Sequence, residues 1–350
     1  MLVLAGDSAK KQSWYLVSVS KTSDPTGGWF NYKINGALIF NGLQTWADYP
    51  DVGFDRIPSS NGAIYFTSNQ LDWTNFNFQT SLISIIPKSI LYSGGTPSST
   101  NIKRFFGLKN FDGSQAFTLR AAKTFSNYNG EFLINDASFG GNFVTLWKAT
   151  PNPVTLTKVK AISIGSYSPP PSATQKGCSG VLDTIDNRIY TAEFRNNNLY
   201  AAFTEAFNWG NGTVATIRYL KINTTSNGVV LNSRYGADKV HFWFPAIISD
   251  SKNNILFTFA RSSLSQFAGL YYSGRKTTDT KAAPSSLLKA GQECIVEAFP
   301  PAPERWGDYF GIRTDPANES RVWIYGEYAK SIGKPPGWDW GTRVGQISYS

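Results

Sequence analysis

The chain has 350 residues, a formal net charge of +9, 15% aromatic residues and 16% charged residues. Its Lys and Arg residues are dispersed and form pairs at most, which excludes the dense basic patch typical of nucleic-acid binding. No apolar run reaches the roughly 18 residues that a membrane span needs, and the apolar start "MLVLAG" is too short for a signal peptide. We therefore expect no nucleic-acid partner and no transmembrane segment.

The first predicted elements are three short strands, "MLVLAG", "SWYLVSVS" and "WFNYKI". No segment after them shows a long apolar stripe with the period of a helix. Gly, Asn, Ser and Thr are frequent between the apolar runs, which is typical of short strands joined by turns. The composition and the pattern together predict an all-β fold.

A repeated motif follows these strands. The pattern Trp-x-Asp-Tyr-x5-Asp runs from Trp46 to Asp55 and returns with identical spacing from Trp306 to Asp315. A third copy, "HFWFPAIISD", places a Phe-Pro pair five residues before Asp250, where the first copy has Tyr-Pro. An aromatic-rich or apolar strand follows each copy. We therefore interpret the three segments as equivalent parts of a repeat.

The aspartate that ends each copy recurs at a nearly constant period. A fourth copy, "GVLDTIDNRIYTAEF", contributes Asp186, and Asp186, Asp250 and Asp315 are 64 and 65 residues apart. Asp55 precedes Asp186 by 131 residues, about two periods, and a degenerate copy without the acid lies between them. A fixed period of this kind predicts a repeat architecture.

Each unit continues with a third strand and usually a fourth. The third strands are predicted at "TSLISII", "NFVTLWKA", "TVATIRYLKI", "AGLYYSGR" and "TRVGQIS". Four-stranded antiparallel blades arranged radially hide one face of each twisted sheet against the next, as in a β-propeller. We predict one β-propeller domain over residues 1–350, with six recognisable blades and room for a seventh. The alternative, a pair of β-sandwiches, gives no reason for a constant aspartate period.

The first and last blades are incomplete in this sequence. The three opening strands correspond to the second, third and fourth strands of a blade, and the segment from Asp308 to Ser350 corresponds to a first, second and third strand. We expect one of three outcomes: the ring closes imperfectly around six units, an N-terminal segment is missing, or another chain completes the ring.

The aspartates of the repeat fall into two classes. Those in the first turn of each unit are expected to accept hydrogen bonds from their own turn, which is a structural role. The aspartates that enter a first strand beside Trp are expected at one mouth of the propeller channel. There they and the tryptophans either bind a ligand or, as the alternative, pack between blades. We expect seven residues to form this ligand-binding mouth: Trp46, Asp48, Tyr49, His241, Trp243, Trp306 and Asp308.

Aromatic rings and carboxylates at one mouth suit a sugar, whose apolar faces stack on rings while its hydroxyl groups bond to acids. His241 is the only histidine, which excludes multi-histidine zinc sites, and no G-x-S-x-G motif is present. The candidates for glycoside chemistry are Asp48, Asp308, Tyr309 and His241. We expect no metal and no cofactor, with Ca²⁺ held by a carboxylate pair as the alternative.

Cys178 and Cys294 are the two cysteines of the chain, so at most one intrachain disulfide can form. Both precede predicted first strands and are therefore expected on the same face. A disulfide between them would clip neighbouring loops and contribute roughly 2–5 kcal/mol in a secreted protein.

Several stretches together resemble a family of secreted bacterial β-propeller proteins, sometimes labelled sialidase-like, whose function is in most cases not established. The stretches are "VSVSKTSDPTGGW", "WADYPDVGFD", "LDTIDNRIYTAEFRNNNLYAAFT", "HFWFPAIISD", "FARSSLSQFAGLYYSGR", "RWGDYFGIRTD" and "WGTRVGQIS". The resemblance implies a propeller fold and an extracellular or cell-surface location. Members often carry His after "LYAA", where this chain has Phe203, so a catalytic histidine at that place is not expected.

Two functions of different class follow from these observations. The first is a non-catalytic extracellular binding or scaffold propeller that recognises a glycan or a protein through loops at one channel mouth. The alternative is a glycoside hydrolase or lyase, sialidase-like, with its active site at the same mouth. Because no complete catalytic set is visible in the sequence, the first function is the expectation and an enzyme is the alternative.

Overall fold

The computed structural model describes residues 2–296, 303–331 and 339–348. These residues form strands, turns and one short helix, so the predicted all-β class is confirmed. The helix, α1, spans Lys88–Ser93. The strands are β1 (Leu2–Asp7), β2 (Gln12–Ser20), β3 (Trp29–Asn35), β4 (Leu38–Phe40), β5 (Leu43–Phe54), β6 (Ala63–Asp72), β7 (Phe78–Pro87), β8 (Lys103–Phe105), β9 (Arg120–Ala121), β10 (Lys123–Thr124), β11 (Glu131–Asp136), β12 (Gly141–Pro151), β13 (Val154–Tyr167), β14 (Ala173–Thr174), β15 (Val181–Leu182), β16 (Ile189–Arg195), β17 (Asn198–Asn208), β18 (Thr213–Asn223), β19 (Gly228–Tyr235), β20 (His241–Ser249), β21 (Ile255–Ser263), β22 (Gln266–Arg275), β23 (Ser286–Lys289), β24 (Gly311–Asp315), β25 (Asn318–Ala329) and β26 (Trp340–Ser348).

The chain divides into two compact units. Unit 1 consists of Met1–Ser138 and Phe143–Ser163, and unit 2 of Phe139–Asn142 and Ile164–Ser350. Across the described residues, no helix has both the length and the apolar character that crossing a bilayer requires.

Unit 1 is built from consecutive antiparallel strands. Its first sheet has the order β1-β2-β3, as predicted from the three opening strands. A second meander runs β5-β6-β7-β8, and a third sheet has the order β9-β11-β12-β13. The predicted third strands "TSLISII" and "NFVTLWKA" lie within β7 and β12.

Unit 2 contains three meanders of the same kind, β16-β17-β18-β19, β20-β21-β22-β23 and β24-β25-β26. The predicted third strand "TVATIRYLKI" lies within β18, the third strand of the first of these meanders. Asn196 and Asn197, with φ of 48° and 57°, form the two-residue connection between β16 and β17. Two adjacent residues with positive φ are typical of a tight hairpin turn, and Asn tolerates that conformation.

The structural role predicted for the turn aspartates is confirmed. In all four turns the carboxylate accepts a hydrogen bond from the backbone N–H two residues later, at 2.9–3.1 Å. This is the geometry of an Asx-turn, in which the side chain replaces a backbone acceptor. The four aspartates are Asp55, Asp186, Asp250 and Asp315.

The equivalence of the Tyr-Pro and Phe-Pro pairs is also visible. Tyr49 has φ of 49° and Phe244 has φ of 52°, and each precedes a proline. Both lie in a β-bulge, one in β5 and one in β20. Positive φ at an aromatic residue is strained and persists only where the surrounding packing holds it. The repeat therefore extends to a shared backbone distortion.

The core of each unit is formed by the inward faces of these sheets. The side chains of Trp243, Phe244 and Phe259 are completely buried in unit 2. Those of Tyr65 and Ile83 are completely buried in unit 1. A large apolar side chain of this kind contributes roughly 1.5–3 kcal/mol when it is fully buried. This rigid packing positions the strand ends that carry the cleft of unit 2.

Candidate functional site

A cleft of ≈ 250 Å³ opens in unit 2, beside the segment that leads into β24 and the end of β25. It is slightly smaller than the roughly 300–1,000 Å³ of typical ligand pockets, which suits a single ring-sized group. Its lining residues are Ile295, Arg305, Trp306, Gly307, Asp308, Glu327 and Trp340. Two carboxyl groups and two tryptophans therefore meet in one concave site.

The segment that carries Asp308 is held by backbone hydrogen bonds to β15. Glu304 N–H donates to the Val181 carbonyl, and Asp183 N–H donates to the Glu304 carbonyl, both at 2.8 Å. This short parallel bridge fixes the chain immediately before Arg305 and Trp306. The Arg305 guanidinium lies 4.0 Å from the Asp308 carboxylate at the exposed rim.

Glu327 is held by a backbone donor. Gly307 N–H donates to Glu327 Oε2 at 2.8 Å. A Cβ atom at position 307 would lie 2.4 Å from both carboxyl oxygens of Glu327, so only glycine permits this approach. The backbone of the segment before β24 therefore contacts and holds the side chain of Glu327 on β25.

The electrostatic surroundings favour the protonated form of Glu327. Burial raises its pKa above the ordinary 4.5, and the negative charge of Asp308 raises it further. The hydrogen bond from Gly307 lowers the pKa; this effect is smaller than that of burial and larger than that of the Asp308 charge. A carboxylic acid and a neighbouring carboxylate in different environments are the usual basis of a paired acid and base.

Trp306 and Trp340 form the aromatic part of the cleft. Trp306 is 4% exposed and packs edge-on against Trp243, with ring centroids 6.0 Å apart, whereas Trp340 is 56% exposed. Within the described part of the chain, the indole N–H of Trp306 has no hydrogen-bond partner. Buried indole donors usually have a partner, so this donor is an exception in the core beside the cleft.

Ile295, which lines one side of the cleft, is held by the buried side-chain amide of Gln175. Gln175 Nε2 donates to the Ile295 carbonyl at 2.7 Å, and Ile295 N–H donates to Gln175 Oε1 at 2.9 Å. Cys294 precedes Ile295 and lies beside Cys178, and both are free, half-buried thiols. Burial raises the pKa of Cys178 to about 12, and the adjacent Cys294 thiol adds to the shift.

The structure separates the other predicted site residues of unit 2 from this cleft. His241 is 5% exposed, and its Nδ1 accepts a hydrogen bond from Ala215 N–H at 3.2 Å. Burial lowers the pKa of His241 to about 4. Trp243 has no exposed surface, so its ring cannot stack on a ligand and serves packing. Tyr309 follows Asp308 and is 40% exposed.

The remaining predicted site residues lie in unit 1, on β5. Trp46 packs against Trp73 with ring centroids 5.8 Å apart, and its indole N–H donates to the Asp72 carbonyl. Tyr49 is 5% exposed and lies under the Arg120 guanidinium, 4.5 Å from the ring centroid. Asp48 is half-buried. A joint mouth formed by these residues and those of unit 2 stays a prediction.

Five residues of the cleft were not among the predicted site residues: Ile295, Arg305, Gly307, Glu327 and Trp340. Glu327 lies in β25, where Val322, Ile324 and Gly326 are buried and the residues between them face outward. An acid near the end of such a strand is a weak signal, because its partner is a backbone group in another segment. Trp340 begins β26, and Trp338, two residues earlier, is outside the described residues.

No group of three or more His, Cys, Asp or Glu side chains that could hold a metal ion occurs in residues 2–296, 303–331 and 339–348. The alternative of Ca²⁺ between carboxylates stays a prediction.

No family model matches the chain, and no curated protein matches it. Among solved structures, the chain is similar to the α-L-arabinofuranosidase Arb93A from Fusarium graminearum, with 11% identity, a TM-score of 0.47, and coverage of 96% of this chain and 85% of that chain. It is also similar to a PL25 ulvan lyase bound to -[GlcA(1-4)Rha3S]-, with 9% identity, a TM-score of 0.44, and coverage of 91% and 72%. A third is a GH43_1 enzyme from Xanthomonas citri complexed with xylotriose, with 9% identity, a TM-score of 0.34, and coverage of 83% and 84%.

These three solved structures are glycoside hydrolases or polysaccharide lyases. This finding contradicts the expectation that the chain is a non-catalytic binding or scaffold protein. No family match supports the sialidase-like label that the sequence resemblance carried.

Proposed function

We propose that the chain is a carbohydrate-active enzyme that hydrolyses a glycosidic bond in the cleft of unit 2. The observation that carries this proposal is the pair of Asp308 and Glu327 in one cleft, with the pKa of Glu327 raised by burial and by the charge of Asp308. Most glycoside hydrolases use two carboxyl groups, one of them protonated and one ionised. The cleft supplies this combination together with aromatic rings.

Glu327 is the general acid of the proposal. The Gly307 N–H occupies Oε2, which leaves Oε1 to carry the proton that is transferred to the leaving-group oxygen. Asp308 is the second carboxyl group. Its negative charge stabilises the positive charge that develops on the sugar ring, and a water molecule that loses a proton to Asp308 bonds to the anomeric carbon as the glycosidic bond breaks. Arg305 at the rim holds the Asp308 carboxylate in place.

The tryptophans bind the substrate. Trp340, which is largely exposed, offers a ring face for stacking on the apolar face of a sugar. The ring of Trp306 lines the same cleft, and its indole nitrogen is buried. The cleft volume fits one ring, so the remainder of a longer glycan lies outside it.

The predicted β-propeller arrangement and an extracellular glycan partner belong to the same proposal. The repeated Asx-turns and the shared bulges of β5 and β20 support equivalent blades. A crystal structure tests the arrangement directly, because blades around one axis are expected and two facing sheets would contradict it.

The test of the activity is product release from a panel of aryl glycosides and plant, algal and animal polysaccharides. Glu327→Gln and Asp308→Asn are each expected to lower kcat on a cleaved substrate by about 10²–10⁴-fold, as expected for loss of a general acid or its partner. Glu319→Gln is the matched control, because Glu319 lies on the same strand but pairs with Arg195 outside the cleft. Equal kcat values in all three variants would contradict the assignment.

A further inference from the structure

Unit 2 contains a second cleft, of ≈ 240 Å³, that shares no lining residue with the cleft of Glu327. Three of its lining residues are cationic, Lys221, Arg275 and Lys276, and none of its lining residues is acidic. Leu231 and Ile255 add an apolar wall, and Asn253 adds an amide. A concave site with several cations and no lining acid favours an anionic ligand.

Lys221 is a half-buried cation of this cleft. Burial lowers the pKa of its ammonium group, and no other group contributes to that shift. Among the described residues no carboxylate lies within ion-pair distance of Lys221, whose ammonium faces the ring of Tyr200 at 5.6 Å. Partial burial without a counter-charge is unfavourable, and a bound anion would relieve it.

The loop that carries Arg275 is fixed by its own hydrogen bonds. Arg275 Nε donates to the Asp279 carbonyl at 3.1 Å, and Lys276 N–H donates to the Asp279 carboxylate at 2.9 Å. The terminal guanidinium nitrogens of Arg275 have no hydrogen-bond partner within the described ranges. Asp279 is thus engaged by the turn, and Asp250 caps the neighbouring turn through Asn254. Neither acid lines the cleft.

We propose that this cleft binds a sulfate or phosphate ester carried by a sugar ring. The guanidinium fork of Arg275 and the ammonium of Lys221 bind the ester oxygens by charge-assisted hydrogen bonds. The apolar wall of Leu231 and Ile255 contacts a face of the ring, and the amide of Asn253 reaches its hydroxyl groups. The volume matches one substituted ring.

Other anionic partners fit this cleft less well. A membrane surface is flat and would contact exposed lysines rather than a concave site. Single-stranded nucleic acid is usually held by aromatic side chains on which bases stack, and none lines the cleft. A charged ester on a small hydroxyl-rich ring contacts all three kinds of lining group, because the cations bind the ester, the apolar wall contacts the ring and the Asn253 amide bonds to the hydroxyl groups.

The experiment is calorimetric titration of the full chain with glucose 6-sulfate, glucose 6-phosphate, inorganic sulfate, inorganic phosphate and glucose. At least one ester is expected to bind, and Lys221→Gln and Arg275→Gln are each expected to weaken its binding by tenfold or more. Lys252→Gln is the control, because Lys252 is exposed on the adjacent turn and does not line the cleft. The melting temperature of each variant shows whether it is folded.

Several outcomes would overturn the proposal. They are equal binding by all three variants, binding of glucose as tight as binding of the esters, and binding of the inorganic anions as tight as binding of the esters. The difference in affinity between glucose 6-sulfate and glucose 6-phosphate shows which ester the cleft binds. Glu327→Gln is expected to bind the ester like the wild type, so this test is independent of the proposed activity.

Discussion

The backbone N–H of Gly307 donates to the carboxyl group of Glu327 at 2.8 Å, across 20 residues of sequence. Gly307 belongs to the segment before β24, and Glu327 lies near the end of β25. The contact joins the two sides of the cleft and brings the acid next to Asp308, whose charge raises the pKa of Glu327. The chemistry proposed for the cleft therefore depends on the absence of a side chain at position 307.

Gly307→Ala is expected to displace the Glu327 carboxyl group, because the new Cβ would lie 2.4 Å from both of its oxygens. On a substrate that the wild type cleaves, kcat should fall by about 10²-fold or more while the fold is retained, since general acid catalysis requires exact placement. Gly228→Ala is the control, because its nearest neighbour is the movable Ser226 hydroxyl at 3.3 Å. Unchanged kcat in Gly307→Ala would contradict the role of this contact.

Asp308→Asn is expected to lower the pKa of Glu327, because it removes a negative charge that disfavours ionisation of the acid. The carboxyl carbon resonance of Glu327, followed by NMR against pH in ¹³C-labelled protein, measures this directly. Glu319→Gln should leave the titration of Glu327 unchanged. A pKa of Glu327 that stays constant or rises in Asp308→Asn would show that the two acids are not electrostatically coupled.

His241 is expected to make the protein sensitive to acid. Its folded-state pKa of about 4 lies below the ordinary 6.5, so the unfolded chain binds a proton more readily. The stability contributed by neutral His241 is complete above about pH 6.5 and is lost as the pH falls toward 4, by roughly 3 kcal/mol in total. His241→Asn keeps an acceptor for Ala215 N–H and does not titrate. Its free energy of unfolding should therefore fall less than that of the wild type over this range.

His241 is the only histidine of the chain, so the difference between the two unfolding curves belongs to this residue. Chemical denaturation at several pH values provides the measurement. Parallel loss of stability in both proteins below pH 6.5 would contradict the buried, neutral state of His241.

Cys178 and Cys294 are expected to form a disulfide when the protein is treated with oxidised glutathione. Two thiols lose two protons and two electrons, and one oxidised glutathione is reduced to two glutathione thiols. Mass spectrometry should show a cross-linked peptide pair, and unfolding should require roughly 2–5 kcal/mol more free energy. Cys178→Ser is the control and should show neither effect. Mixed glutathione adducts without a cross-link would contradict the predicted pairing.

Local patterns in the sequence predicted local structure well. The first-turn aspartates could be identified because each of them bonds to its own turn, so spacing alone reveals them. The Tyr49-Pro and Phe244-Pro pairs likewise mark bulges in the same place of β5 and β20. The sequence analysis did not predict the hairpin at Asn196 and Asn197, because three consecutive asparagines are equally typical of a longer loop.

The candidate site was predicted only in part. Trp306 and Asp308 could be found because they belong to the repeated motif. Glu327 could not, because its role depends on burial and on a hydrogen bond from Gly307, which neither spacing nor composition encodes. Trp243 was assigned to ligand binding from the same motif, yet tertiary packing against Trp306 buries it completely.

The central claim is that Glu327 and Asp308 act together on a glycosidic bond. The most direct measurement is a crystal structure of Glu327→Gln with an oligosaccharide that the wild-type protein cleaves. We predict one sugar ring in the cleft beside Trp340, with the glycosidic oxygen within hydrogen-bond distance of residue 327 and with Asp308 facing the anomeric carbon. An oligosaccharide bound elsewhere on the protein, with this cleft empty, would contradict the account.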